Sequence, residues 1–190
     1  MTLASGWASG INAYATVLIL GLIGRFTDVA GIPVGFERTD VLIVMGVLAL
    51  LELLADKIAV VDSLWDVPST VIRPIAGAVI GALIAGAQGD LLTITLAAVG
   101  GVSALLSHLS KAGIRLAVNT SPEPVSNVGA SVAGDIGVLS MASLAAFVPA
   151  VAGVVAVILL IAGVWLAWTL ASRIQRGLRW LRGRLRRHDG

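Results

Sequence analysis

Long apolar runs alternate with short polar interruptions along the whole chain. An α-helix needs roughly 20 apolar residues to cross a hydrocarbon layer about 30 Å thick. Six runs approach that length, at about 3–23, 41–59, 70–87, 91–118, 127–147 and 150–170. The first two are separated by a polar connection at 24–40 that holds Gly31, Pro33 and Gly35. A Gln88-Gly89-Asp90 turn separates the third and fourth. The loop NTSPEPVS at 119–126 follows the fourth, and Pro149 marks the end of the fifth. This pattern predicts an all-α membrane bundle of about six transmembrane helices over 1–171, followed by a tail at 172–190.

Composition supports lipid as the solvent. Apolar residues make up 57% of the 190 residues and charged residues 13%, with a mean hydropathy of +0.97. Soluble domains carry about 25% charged residues, so too little charge is present here to cover a water-facing surface. Cysteine is absent, which excludes disulfides and thiolate metal sites. No basic residue precedes the first apolar run, so that run reads as a retained helix and not a cleaved leader.

Charge is unevenly placed. Arg173, Arg176, Arg179, Arg182, Arg184, Arg186 and Arg187 give the tail a net charge of +6, against −4 for the rest of the chain. Ile174, Leu178, Leu181 and Leu185 recur at spacings of four, three and four between these arginines, with Trp180 near the same stripe. That is a basic amphipathic helix suited to anionic lipid head groups. Trp165 and Trp168 stand where an interfacial aromatic belt would lie. A basic segment after a hydrophobic helix marks the cytoplasmic side. Lys57, Arg73, Lys111 and Arg115 fall on the same side in a six-span topology, while Arg25 and Arg38 weaken the contrast.

Two polar segments interrupt the apolar pattern most strongly. Residues 52–77 contain six charges, Glu52, Asp56, Lys57, Asp62, Asp66 and Arg73. Residues 107–135 contain His108, Lys111, Arg115, Asn127 and Asp135. ALLELLADK at 49–57 aligns with ALLSHLSK at 104–111, and each leads through a proline-bearing loop into a Gly/Ala-rich helix. The alignment predicts an internal helix-loop-helix repeat, with units at about 41–87 and 91–147.

Ionisable groups at mid-span cost about 2.5–3.5 kcal/mol each and face a bundle interior or a wet cavity. Glu52 and Asp56 share a helix face at i, i+4, as do Lys111 and Arg115, and Lys57, Lys111, Arg115 and Arg73 are candidate partners of the two acids. The simplest arrangement sets the acidic stripe against the basic one, and its structural role alone would be to lock helices together. Asp62 and Asp66 flank Trp65 in the first predicted loop, where Asp66 or Ser69 is positioned to cap the following helix, as Ser126 or Asn127 is for the fifth. Arg73 beside Pro74 needs an anion, from Asp62, Asp66 or a substrate phosphate. Asp135 is expected about 12 Å into the fifth helix at 1.5 Å per residue, with Asn12 and Tyr14 as polar neighbours. His108 is a candidate proton carrier or a packing residue. Gly6 and Gly10, like Gly77 and Gly81, have the small-xxx-small spacing of closely packed helices.

No HExxH, GxSxG or phosphate-loop pattern is present, and no nucleophile–base pair stands out. The basic residues beside Glu52, Asp56, Asp62 and Asp66 argue against a carboxylate metal site. The expectation is therefore no catalytic residue, no metal, no cofactor and no nucleic-acid partner.

SGINAY at 9–14, DKIAVVDSLWD at 56–66, IRPIAGA at 72–78, KAGIR at 111–115 and the later Asn127, Ser131 and Asp135 carry a resemblance. Over most of residues 5–150 the chain resembles an uncharacterised family of small bacterial integral membrane proteins, a domain of unknown function with a DKxxxxDxxxD…RPxxG signature. The family's last motif ends in an acidic pair, whereas Gly134 precedes Asp135 here. The resemblance implies a polytopic membrane protein and no particular activity.

The sequence thus points to a small transporter or channel-like protein of a bacterial cytoplasmic membrane, with a cytoplasmic C-terminus. Its polar intramembrane site would take an ion, a proton or a small anionic group through Glu52, Asp56, Lys57, Asp62, Asp66, Arg73, His108, Lys111, Arg115, Asn127 and Asp135. The alternative is a non-transporting scaffold or assembly factor whose charges lock helices together. Expected partners are the bilayer, anionic head groups at the tail, an ion or solute, and a second copy of the chain.

Overall fold

The computed structural model describes residues 1–118 and 124–185. Side chains at 59–60, 62–63, 116–117, 124–125, 127, 174 and 177–185 lie outside what is described. The described chain is all α-helical: α1 (Thr2–Ile11), α2 (Ala13–Phe26), a short 3-10 turn (Val34–Glu37), α3 (Thr39–Ala55), α4 (Ala59–Ala85), α5 (Asp90–Val118), α6 (Pro124–Phe147) and α7 (Pro149–Leu185). Among the described residues four helices are long and apolar enough to cross a membrane, at Leu64–Ala85, Asp90–Arg115, Val128–Phe147 and Pro149–Arg173.

Burial is inverted relative to a water-soluble protein. Arg73, His108 and Glu52 are among the largest fully buried side chains, while Leu91, Ile94, Ile158 and Ile161 are more than half exposed. Apolar residues outside and ionisable residues inside are what hydrocarbon solvent requires. The chain is a multi-pass membrane protein on this ground.

The first apolar run is not one span. It breaks at Asn12, whose backbone is extended (φ −152°, ψ 104°). The Asn12 side-chain oxygen accepts from the Ala15 N–H at 2.8 Å and so caps α2. Beyond the break the chain doubles back. Ala15 and Ile19 pack with Ala4 and Ala8, and Leu20 clusters with Met1 and Ile80. At 10 and 14 residues the two arms measure about 15 and 21 Å, too short to cross alone. Non-helical backbone at membrane depth survives only inside protein, and α1 meets that condition because α2, α4, α5, α6 and α7 all contact it.

Helix directions follow from contacts. Leu3, Trp7 and Ile11 of α1 accept hydrogen bonds from Ser103, Ser107 and Lys111 of α5, a constant offset that makes the two helices parallel. Gly77 and Gly81 of α4 face Gly100 and Leu96 of α5, so α4 is antiparallel to both. All four glycines of the small-xxx-small pairs touch α5. A methyl group on Gly6 or Gly77 would stand 2.6 Å from the same Gly100 carbonyl oxygen, which is why α1, α4 and α5 meet backbone to backbone.

One predicted loop is helical, and of the other, 119–126, residues 119–123 lie outside the described residues. The proline-bearing stretch after Asp56 is the first part of α4, interrupted from α3 only by a turn at 56–58, with Pro68 and Pro74 inside the helix. Asp66 and Ser69 are therefore interior to α4 and cap nothing. Pro124 opens α6, so Ser126 and Asn127 sit in its first turn and are not its caps. The two aligned segments also differ in form. The first ends α3 at Ala55, whereas α5 runs on through Lys111 to Val118. The tail continues α7 without a break to Leu185; the side chains of Arg179, Arg182 and Arg184, and all of Arg186 and Arg187, lie outside the described residues. At the opposite end, Arg25 bonds Thr39 and Arg38 pairs with Asp40 in the exposed connection.

Candidate functional site

The chain break at Asn12 leaves the last carbonyls of α1 without helical partners. They carry the negative end of the α1 dipole. Two cations meet them: Lys111 Nζ lies 3.1 Å from the Ile11 oxygen, and Arg73 Nη1 lies 3.4 Å from the Gly10 oxygen. Ser103 and Ser107 take the carbonyls one and two turns earlier at 2.8 Å each. A ladder of hydroxyls along α5 thus ends in a lysine at the point where α1 ends.

From this point the ion pairs spread to four helices. Lys111 Nζ pairs with Asp56 Oδ2 at 2.8 Å, and Arg115 Nη2 reaches the same oxygen at 3.3 Å. Arg115 Nη1 also donates to the Asp56 backbone carbonyl at 3.3 Å. Arg73 Nη2 pairs with Glu52 Oε1 at 2.6 Å, with both side chains 2% exposed or less. Arg73 Nη1 stands 3.6 Å from Asp66 Oδ1. Lys57, at the α3–α4 turn, reaches Asp135 Oδ2 and Ser131 Oγ on α6, each at 3.3 Å, and the Leu53 carbonyl at 3.2 Å. Among the described residues four carboxylates meet four cations. Close matching is what a low-dielectric interior demands, since a lone buried charge costs several kcal/mol.

His108 sits inside this chain. Its Nδ1 lies 2.6 Å from Arg73 Nη1 and its Nε2 lies 3.1 Å from Thr70 Oγ1. Arginine only donates, so Nδ1 accepts and the ring proton is on Nε2. Thr70 accepts that proton's bond and donates its own hydroxyl to the Asp66 carbonyl at 2.9 Å.

The acidic stripe does face the basic one, but Glu52 and Asp56 divide their partners. Asp56 takes Lys111 and Arg115, while Glu52 takes Arg73. Asp135 is paired with Lys57, and Asn12 serves α2 instead of Asp135. The side chains of Asp62 and Asn127 lie outside the described residues. Gly10, Ile11, Thr70, Ser103, Ser107 and Ser131 are additions that charge alone did not reveal. Ser103, Ser107 and Lys111 do share an i, i+4, i+8 face that was readable as a polar stripe.

Beside this network, α1, α5, α6 and α7 enclose a cavity of about 380 Å³. Trp7, Ile11, Ile114, Leu159 and Leu166 form its apolar walls, and Ser107, Ser110, Lys111 and Arg115 supply its polar side. Lys111 and Arg115 thus border the cavity and also contact Asp56, which is not part of the lining. No group of three or more His, Asp or Glu side chains among the described residues is arranged to hold a metal.

Comparison with curated proteins gives no match, and comparison with solved structures gives none. One family does match, over residues 1–169, which includes every helix that builds the site and stops four residues short of Arg173. Its description is Domain of unknown function (DUF4126), and the chain belongs to that family.

Proposed function

We infer that this protein is a small transporter or channel-like protein whose working part is the ion-pair chain at the α1–α2 break. One observation carries the reading. Two helix interruptions, at Asn12 and at 56–58, converge on Lys111, where a main-chain carbonyl and a carboxylate surround its ammonium beside a cavity. Transporter sites are commonly built in this way, with the termini of broken helices aimed at a buried charge. Entry of a proton or cation at Asp56 would loosen Lys111 and Arg115, and an anion in the cavity would compete with Asp56 for the same two cations. The site thus suits an ion, a proton or a small anionic group. In this reading the protein lies in a bacterial cytoplasmic membrane. The end that carries the cluster and the basic tail faces the cytoplasm, by the positive-inside rule.

The test is flux in proteoliposomes loaded with a pH-sensitive dye, under an imposed pH gradient with chloride as the anion. Wild type should dissipate the gradient faster than empty liposomes, and Asp56→Asn and Asp135→Asn should each slow it at least tenfold. Wild-type rates in both variants would sink the assignment.

A second reading has its own support. The Glu52–Arg73 pair is buried, short and not part of the cavity lining, as a purely locking contact would be. A scaffold predicts no flux in wild type, with a loss of stability in a Glu52→Gln, Arg73→Gln double variant.

A further inference from the structure

The cavity walled by α1, α5, α6 and α7 has a polarity that names its ligand class. Its floor holds Lys111 and Arg115. Lys111 carries three protons; Asp56 and the Ile11 carbonyl take two of them, which leaves one donor at the cavity wall. Arg115 adds a second positive charge there, with Nη1 and Nη2 directed to Asp56. The hydroxyls of Ser107 and Ser110 are committed to the Trp7 and Leu106 carbonyls, so the donors facing a guest come from the two cations.

The rim is of the opposite character. Ala133 on α6 and Ala162 on α7 are exposed, as are Leu159 at 37% and Leu166 at 38%. These positions lie within the apolar spans of α6 and α7, where the surroundings are lipid tails. An opening rimmed by alanine and leucine at that depth is apolar. It offers a route for a molecule already dissolved in the bilayer. The volume, about 380 Å³, is near the lower end of the 300–1,000 Å³ typical of ligand pockets, which suits one alkyl chain and leaves no room for two.

We propose that this cavity binds a single-chain anionic amphiphile entering sideways from the bilayer, its carboxylate or phosphate head against Lys111 and Arg115 and its chain between α6 and α7. The proposal deepens the transport reading by naming what the site takes, and binding can be measured without flux, so the two can fail separately.

The full chain in nanodiscs of neutral lipid is titrated with a bromine-tagged twelve-carbon carboxylate, the matching alkyl phosphate, the matching alcohol and inorganic phosphate. Trp7 lines the cavity, so the readout is the quenching lost on Trp7→Phe. At least one of the two amphiphilic anions should quench saturably and at least tenfold more tightly than the alcohol, and the tighter of the two distinguishes a fatty-acid head from a lipid-phosphate head. Ala133→Phe, at the exposed rim, should weaken binding at least tenfold with the fold intact, and Lys111→Gln should do the same. Equal affinity for the alcohol, displacement by inorganic phosphate at matching concentration, or unchanged binding in Ala133→Phe would each overturn the proposal. Ala133→Phe keeps the test decisive if Lys111→Gln does not fold. Binding without flux would remove the transport reading alone.

Discussion

Arg73 and Glu52 form the pair whose removal tests the interior most directly. The two side chains are 2% and 1% exposed and meet at 2.6 Å. Arg73→Met strands Glu52 in the interior, and it takes donors from His108 Nδ1 and the Gly10 carbonyl as well. Breaking a buried pair by removing one partner costs about 3–5 kcal/mol, roughly a hundred- to several-thousand-fold in the folded-to-unfolded ratio at 1.4 kcal/mol per tenfold. Glu52→Gln should cost the same order, because it leaves the guanidinium with Asp66 at 3.6 Å as its remaining carboxylate among the described residues. The double variant strands no charge across this contact, so its loss should fall short of the sum by about 2–3 kcal/mol. Unfolding by sodium dodecyl sulfate in mixed micelles, followed by far-UV circular dichroism, measures all three. Exposed ion pairs couple by about 0.2–1 kcal/mol. A coupling in that range would refute the idea that this pair forms in a dry interior.

Three further outcomes follow from the same geometry. Gly77→Val places a side chain against the Gly100 carbonyl, where even a methyl would stand at 2.6 Å; it should lower the melting temperature in micelles by several degrees or abolish folding, while Gly153→Val, whose added carbon meets nothing within 4 Å, should not. Asn12→Ala removes the α2 cap and should cost about 1 kcal/mol in the same titration, with the neutral capping variant Asn12→Ser recovering most of it. Ser103→Ala and Ser107→Ala should cost only about 0.6 kcal/mol each, the average for hydrogen bonds within membranes, whereas Lys111→Met removes one of the two cations paired with Asp56 and should cost several-fold more.

The helices were readable because hydrocarbon solvent imposes long apolar runs, and the four long spans coincide with the last four runs. The first run misled because SGINAY contains no residue that forbids a helix. The break at Asn12 depends on α5 offering a lysine to the freed carbonyl, a contact made across 100 residues of chain. The stretch after Asp56 misled in the other direction. Pro68 and Pro74 suggest a loop, yet a helix buried on one side tolerates both, and Ser69, Arg73 and Ile80 are held inside the bundle. The pairing of Asp56 with Lys111 and Arg115 was legible from two i, i+4 stripes of opposite charge. Arg73 was among the cations expected for Glu52 and Asp56; that Glu52 in particular takes it depends on α4 starting as a helix at Ala59 and not at residue 70.

The fixed offset between α1 and α5 also has a consequence for biogenesis. α1 has three buried hydroxyl residues, Thr2, Ser5 and Ser9, and is too short to span the bilayer by itself. Its ladder partners Ser103, Ser107 and Lys111 are each 100 residues later in the chain. At about 5–20 residues per second, the ribosome adds that length in roughly 5–20 seconds. For that interval α1 has only α2 and α4 to pack against, and its three carbonyls wait for the hydroxyls and the lysine of α5. The packing around α1 is thus completed late, when α5, α6 and α7 follow.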